Sequence, residues 1–531
     1  MMKLRYSLVA ACCTLALAGC NSSNDDTARD DELPVLPILP EQPGPLPPEA
    51  KPELKAGRYV AGDFHVHSAI SEDAHTPVDE GLRRAFDVYN LDFVFMADHL
   101  RLTHRDDQNV AADTPLPVFD AIKRYQLQHF DKYLEQGKVL IAGTEWNNDN
   151  YEHTNVWMFL DAVNSDASID FMRQFEFYAQ DYDESYYSQE EVLKWLEEGE
   201  RFDPETEGKK AIEWLYNNIP AGQGLIQFNH PNRKGDNYTI ADYRDLLNAA
   251  PGLMCAYEGL PGNQATDLRA EYEYDSYNGN IRAFVYGGVD YSVNELGGEW
   301  DALLAEGHKI YLTSNSDFHD AYAPGQYNKT LVWLDEGQEF DVPNVMAAVC
   351  NGKTVAMYGN LIEDLSFFAE STHDLQMMGD DLFVQQGDSV TITVRFKPST
   401  GNWFSENNDD TDAPVVDHID LIGGEMVEPA QPGTPDYSLP YNRSTRLHHR
   451  FFTSDYQPDE HGYYEMSYTV EGVEKDMYFR IRGTDIEINS ERMDRDGNPN
   501  VDFRRGSGQS DRDNFNSLWF YSSPIYFNVE G

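Results

Sequence analysis

The 531-residue sequence predicts two folded regions, an α/β barrel followed by an antiparallel β-sandwich. Three observations carry this prediction. From about Gly57 to Asn360, short apolar runs alternate with helical stretches, and many repeated strand–helix units imply a parallel sheet that curls into a barrel. From about Leu361 the pattern switches to strands of period two between turn-rich loops, as in a sandwich. The length exceeds one ordinary core, while 40% hydrophobic and 13% aromatic residues suffice for two.

The first twenty residues have the form of a targeting segment. Lys3 and Arg5 supply a positive start, and Leu8 to Leu17 an apolar run too short and wrongly flanked for a membrane span. Leu17-Ala-Gly-Cys20 resembles a bacterial lipobox, which implies cleavage before Cys20 and a lipid anchor on its thiol. Asn21 after the cysteine favours, by the same resemblance, the periplasmic or cell-surface face of the outer membrane. The alternative is ordinary cleavage and release. Residues 21–56 are polar and then Pro-rich, an extended spacer of about 3 Å per residue.

In the barrel region the expected strands are Tyr59–His67, Phe93–Ala97, Val139–Ala142, Val156–Phe159, Leu225–Phe228, Gly252–Tyr257 and Lys309–Thr313. Helices are expected over Pro77–Tyr89, Pro117–Leu134, Glu190–Tyr216, Trp300–Ala305 and Pro343–Cys350. Beyond residue 361, Ser389–Phe396, His418–Ile422, Glu465–Val470 and Met477–Arg482 alternate at period two.

A formal charge of −52 argues against nucleic acid as a partner, because phosphate backbones need a basic surface. It suits a soluble protein in salty surroundings, with a solvated acidic surface or one that concentrates cations. Of five cysteines, Cys12 and Cys13 leave with the signal and Cys20 becomes the anchor. Cys255 and Cys350 sit in apolar contexts without paired zinc-ligand spacing and read as buried free thiols.

The chemistry gathers at strand ends. His65 and His67 close the first strand, and residues i and i+2 of a strand point the same way. Asp98 and His99 follow the second strand, Glu145 the third, and His153 precedes the fourth. His230 follows Phe228, and Asp317 and His319 follow Thr313. Imidazoles and carboxylates are the ligands of Zn, Fe or Mn ions, and the strand ends of a β/α barrel converge on one face. Singly, a His before Pro231 could be a turn residue and Glu145 a helix cap. Jointly, so many unneutralised polar groups at one rim would be costly without cations.

These motifs, His65-x-His67, Ala97-Asp-His99, Glu145, His230-Pro and Ser316-Asp-x-His319, resemble the polymerase and histidinol phosphatase (PHP) superfamily. Glu258-Gly-Leu-Pro-Gly262, Trp300-Asp-Ala-Leu-Leu304, Arg482-Gly-Thr484 and Trp519-Phe-Tyr-Ser-Ser-Pro524 resemble a large secreted branch that carries the β domain. The resemblance implies a distorted (β/α)7 barrel over 57–360, a β-sandwich over 361–531, and two or three divalent ions hydrolysing a small phosphorylated substrate. It places His65, His67, Glu145 and Asp317 around one ion, and Glu145, His153 and His230 around a second. His99 and His319 would hold a third with a ligand from Ser71-Glu-Asp-Ala-His75, where Asp73 is preferred and Glu72 and His75 stay open.

Such ions lower the pKa of bound water from 15.7 toward roughly 7 and neutralise phosphoryl oxygens. Among residues with a catalytic part, Asp98 is expected to orient a ligand histidine. Arg101 and Arg233 either pair with substrate phosphate or form surface salt bridges. The competing functions are a carboxylic ester or carbamate hydrolase on the same fold and a non-catalytic surface-binding lipoprotein. In the β region, Asp494-Arg-Asp-Gly-Asn-Pro-Asn-Val-Asp502 reads equally as a Ca²⁺ loop or a plain acidic turn. Gly352-Lys-Thr354 is dismissed as a P-loop, since Ala347 stands at the first glycine position.

Overall fold

The structure, a computed structural model, describes residues 54–530 except 149–150, 265, 267, 271, 273–278, 402–412 and 503–515. The targeting segment, Cys20 and the Pro-rich spacer up to residue 53 lie outside the described residues. Among those described, no helix is long and apolar enough to cross a membrane.

The Gly57–Val66 strand sits inside the larger of two sheets that frame the site. It pairs in parallel with Phe93–Met96, which pairs in parallel with Val139–Ile141. Its other edge pairs antiparallel with Asn328–Asp335. A six-stranded sheet runs in the order Tyr311–Ser314, Met254–Leu260, Gly224–Phe228, Glu152–Met158, Thr144–Asn148, Asp98–His99. The sheets are joined by chain continuity, since Asp98–His99 follows Phe93–Met96 after a single residue. An isolated parallel bridge, Val66 to Phe318, also links them.

The expected all-parallel arrangement is corrected to a mixed one. Thr144–Asn148 and Glu152–Met158 form an antiparallel hairpin, and Glu152–Met158 also runs antiparallel to Gly224–Phe228. Three linking residues are too few for a parallel crossover. His153 therefore lies within a strand rather than ahead of one. Likewise the Glu190–Tyr216 helix is two, Gln189–Glu198 and Gly208–Asn218, broken near Gly199 and Pro204. Helices Asp166–Ala179 and Ile240–Ala249 were not anticipated.

The expected period-two strands form, and with them an additional antiparallel sheet of four strands, including Ile362–Glu370, Val390–Pro398 and Tyr464–Val470. Other strands of this region extend the larger sheet instead. Trp519–Ser522 pairs with Thr354–Tyr358 and with Met477–Thr484, giving eleven strands among the described residues. Two quoted motifs explain part of the seam. Arg480 makes a bidentate pair with Asp301, at 2.7 Å for both bonds and with both groups buried. Arg482 reaches Asp420 at 3.2 Å, Gly497 O at 2.8 Å and Asn498 at 3.0 Å.

That last contact bears on the candidate Ca²⁺ loop. Asp494 accepts the loop amides of Asp496 and Asn498, Asn498 is engaged by Arg482, and Asp502 pairs with Arg269. Asn498 and Asp502 are thus engaged by arginines and Asp494 by its own loop amides, an arrangement in keeping with the acidic-turn reading. The free-thiol expectation is corrected too. Cys255 and Cys350 are joined in a disulfide, with Cα atoms 5.1 Å apart. Helix Val342–Cys350 packs Val345, Met346 and Val349 against Phe64, Phe93 and Phe95 of the sheet, which brings together two cysteines 95 residues apart.

Glu176 is a wholly buried carboxyl that accepts the Val118 and Phe119 amides at 2.7 and 3.3 Å, at the start of helix Val118–Ala121. Burial pushes its pKa up to about 8, against the opposing pull of those amides. A raised acid pKa contributes stability that is complete below the unfolded value and lost as pH climbs through the folded one. Unfolding free energies from pH 4 to 9 should therefore fall in the wild type relative to Glu176→Gln, by on the order of a few kcal/mol, since tenfold in proton affinity is about 1.4 kcal/mol. Parallel curves for the two proteins would refute the assignment.

Candidate metal centre

His65 is the penultimate residue of its strand and His67 follows the strand end, so both rings turn to one side. Their Nε2 atoms lie 3.1 Å apart. Each ring is oriented from behind. His65 Nδ1 lies 3.0 Å from Glu258 Oε1, and His67 Nδ1 lies 2.8 Å from Ser71 Oγ. In the neutral ring, a proton held at Nδ1 by Glu258 leaves the His65 Nε2 lone pair for a cation at the centre.

The carboxylate of Glu145 occupies the middle. Its Oε1 lies 2.9 Å from His153 Nδ1, 3.1 Å from His230 Nε2 and 3.4 Å from His65 Nε2. Its Oε2 lies 3.1 Å from His99 Nδ1 and 3.3 Å from His67 Nε2. Asp317 Oδ1 is 3.3 Å from both His65 Nε2 and His67 Nε2, while Gln264 holds the other oxygen. Asp73 bridges two further rings, with His99 Nε2 at 3.0 Å and His319 Nε2 at 3.5 Å.

Among the described residues four overlapping ligand groups result, each with its donor atoms within 4.8 Å of one another. They are His65/His67/Glu145/Asp317, His67/Asp73/His99/His319, His99/Glu145/His153 and Glu152/His153/His230. The donor set fits divalent cations on a further count. His99 Nδ1, His230 Nδ1 and Asp317 Oδ1 are buried without a hydrogen-bond partner among the described residues, a cost that a coordinated cation would relieve.

All nine sequence-predicted ligands, His65, His67, Asp73, His99, Glu145, His153, His230, Asp317 and His319, thus belong to these groups. The loop alternatives separate cleanly. Glu72 belongs to none of the ligand groups, and His75 faces Asp320 at 2.8 Å, outside the cluster. Asp98 does not touch a ligand ring. It accepts from Ser68, Gln126 and Ser71, and Ser71 in turn contacts His67 Nδ1, so its hold on that ring is relayed. Arg233, partly buried in the wall of the cleft, pairs with the buried Glu152 at 2.9 Å and lies 3.0 Å from His153 Nε2. Arg101 lines the cleft over the cluster, about 220 Å³, beside Lys234 and Gln264. Its side chain makes no hydrogen bond or ion pair among the described residues.

Sequence reasoning missed Glu152 and Glu258 as site residues. Glu152 adjoins His153 and has φ 64°; Glu258 opens a quoted motif, yet its partner His65 lies 193 residues away. Gly262 ends the same motif because a Cβ there would come 2.0 Å from Ser316 O, in the segment that presents Asp317.

The electrostatics follow from burial opposed by neighbours. Burial alone would raise Glu145, but His153, His65 and His99 hold its carboxyl well below the usual range. Burial would lower His67, but Asp317 and Glu145 raise it to about 9. His65 is likewise held well above its ordinary value by Asp317, Glu258 and Glu145 against burial. His153, where burial and Arg233 prevail, falls to about 3. His67 therefore carries a proton at neutral pH in the cation-free protein, and the carboxylates around His65 favour its protonated form.

No protein family, curated protein or solved structure matches this chain.

A cation bound between His65, His67 and the carboxylates must displace the His67 proton. Calorimetric titration with Mn²⁺ at pH 7.5, in buffers of different ionisation enthalpy, should show net proton release. Affinity should rise with pH until His67 deprotonates by itself near pH 9. A heat independent of buffer would contradict this charge arrangement.

Proposed function

We propose that the chain is a metal-dependent hydrolase of phosphate esters, a PHP-type phosphoesterase on a distorted (β/α)7 barrel. The observation that carries the reading is Glu145, a buried carboxylate with five imidazoles within 3.4 Å, shared between overlapping ligand groups that open on a cleft. His65, His67, Glu145 and Asp317 would hold one cation, Glu145, His153 and His230 a second, and Asp73, His99 and His319 a third. Bound there, divalent ions such as Zn, Fe or Mn would supply an activated water and charge to offset that building on a phosphoryl group.

The remaining roles fall to the chain itself. Arg101, on the cleft wall, binds a phosphoryl oxygen of the substrate; Lys234 adds positive charge, part of it answering Glu152 at 3.7 Å. Arg233 is committed to Glu152 and positions the His153 ring. Glu258 and Ser71 keep the Nε2 atoms of His65 and His67 directed at the centre. The disulfide Cys255–Cys350 supports an oxidising compartment, in keeping with export and a lipid anchor at Cys20, on the periplasmic or surface face of the outer membrane.

Metal-reconstituted protein should be assayed against phosphomonoesters, phosphodiesters, carboxylic esters and carbamates. Phosphate esters should turn over, and His65→Ala and Asp317→Asn should fall to background. Arg101→Ala should lose about 10- to 100-fold in kcat/KM, the worth of one charge-assisted hydrogen bond. Turnover of carboxylic esters or carbamates alone would transfer the reading to that class. Wild-type rates in His65→Ala would end it, and metal uptake with no turnover would leave a binding lipoprotein.

A further inference from the structure

Asp73 differs from the other ligands in its support. The rest stand on or next to strands and are buried, whereas Asp73 lies in the Ser68–Thr76 loop with its side chain 45% exposed. An exposed carboxylate held only by its ligand partners would be mobile, and a ligand needs a fixed position. The loop is closed at its base by Ala69 N donating to Thr76 O at 2.8 Å. Two side chains from elsewhere, Asp320 and Arg105, grip it next to Asp73. Asp320 accepts the His75 amide at 2.9 Å and lies 2.8 Å from the His75 ring. Arg105 donates to Ala74 O at 2.8 Å, and its other terminal nitrogen lies 3.3 Å from His75 Nε2. Ala74 itself is wholly buried.

Asp320 immediately follows His319, so one segment supplies both a ligand of the outer group and the anchor of the loop bearing Asp73. The inner groups, built on Glu145, take no ligand from this loop. We propose that His75, Asp320 and Arg105 form a clasp that positions Asp73 and so governs occupancy of the outermost cation site, leaving the inner sites untouched. This rests on the metal-centre reading. The clasp residues are positioning residues: none of them belongs to a ligand group, and they act through the ligands they hold, Asp73 above all.

The test is Co²⁺ titration of the full chain, following visible absorption and, after dialysis, metal content, with near-ultraviolet circular dichroism to monitor folding. The wild type should show an outer binding step distinct from the inner ones, and Asp73→Ala should lose it. His75→Ala, Asp320→Asn and Arg105→Met should each weaken that step about 10- to 100-fold, as losses of ligand-supporting contacts do, with inner steps unchanged. His75→Asn, which keeps a donor toward Asp320, should recover most of the loss. Wild-type outer binding in the clasp variants, or equal weakening of inner and outer steps in variants that remain folded, would overturn the clasp. An Asp73→Ala protein that keeps every step would overturn the outer site. Failure of the wild type to bind any Co²⁺ would overturn the metal-centre reading itself, and the clasp with it.

Discussion

The rest of the structure is arranged around negative charge buried with no fixed positive charge to answer it. Glu145, Asp317 and Glu258 are almost wholly inaccessible, and among the described residues their close charged partners are imidazoles. Arg233 and Lys234 are near, but both are drawn to Glu152. Even after relaxation, each buried ion costs several kcal/mol unless it is compensated. A protein that wanted only stability would fill this volume with apolar side chains. What the arrangement offers instead is a set of oxygen and nitrogen lone pairs aimed at common points, the electrostatic counterpart of a multivalent cation.

Holding those lone pairs in place has shaped the backbone as well. His230, Asp317, Glu152 and Gln264 all adopt positive φ, between 23° and 64°, where L-residues with side chains rarely sit. Each such residue costs on the order of 1–3 kcal/mol, and they persist only where surrounding contacts over-determine them. Those contacts are visible here. Asp63 accepts the amides of His65 and Ser316, Glu258 accepts the amide of His230, and Asp290 grips Asn232 two residues further on. Carboxylates that bind no cation are thus used to fix the chain at the turns where ligands leave the sheet.

This division explains what could be read from the sequence. Ligands at strand ends announce themselves, because the i, i+2 rule and an apolar run before them are local features, as with His65/His67 and Asp317/His319. Asp73 was legible only as one of three candidates in its loop, since nothing local distinguishes it from Glu72 or His75. Glu258 and Glu152 were illegible for a different reason. Their roles are set by partners far away in the chain, and a lone Glu inside a strand carries no periodic signature. The same holds for the antiparallel hairpin at Thr144–Met158 and for the Cys255–Cys350 bond, both of which depend on pairing rather than pattern. The acidic Asp494–Asp502 loop shows the converse, a local pattern in which the Asn498 and Asp502 oxygens meet arginines from distant parts of the chain.

The β region belongs in the same argument. Its strands are not docked on the sheet that carries His65 but continue it, through Thr354–Tyr358 to Trp519–Ser522 and Met477–Thr484. Without Trp519–Ser522 the Thr354–Tyr358 strand would present an open, unpaired edge. Buried arginines cross the same seam: Arg480 pairs with Asp301, and Arg244, paired with Glu306 on its own side, donates to Tyr437 O and Leu439 O. Removing the arginine side of Arg480–Asp301 would strand a carboxylate at 1% exposure, a change costing about 3–5 kcal/mol. Asp301 also accepts the Gly297 amide at the start of helix Glu299–Ala305, which leads within a few residues to the Tyr311–Ser314 strand and on to Asp317. The C-terminal strands therefore act as a buttress for the segment that delivers a central ligand, and the rigidity of the centre is a property of the whole described unit rather than of its first three hundred residues.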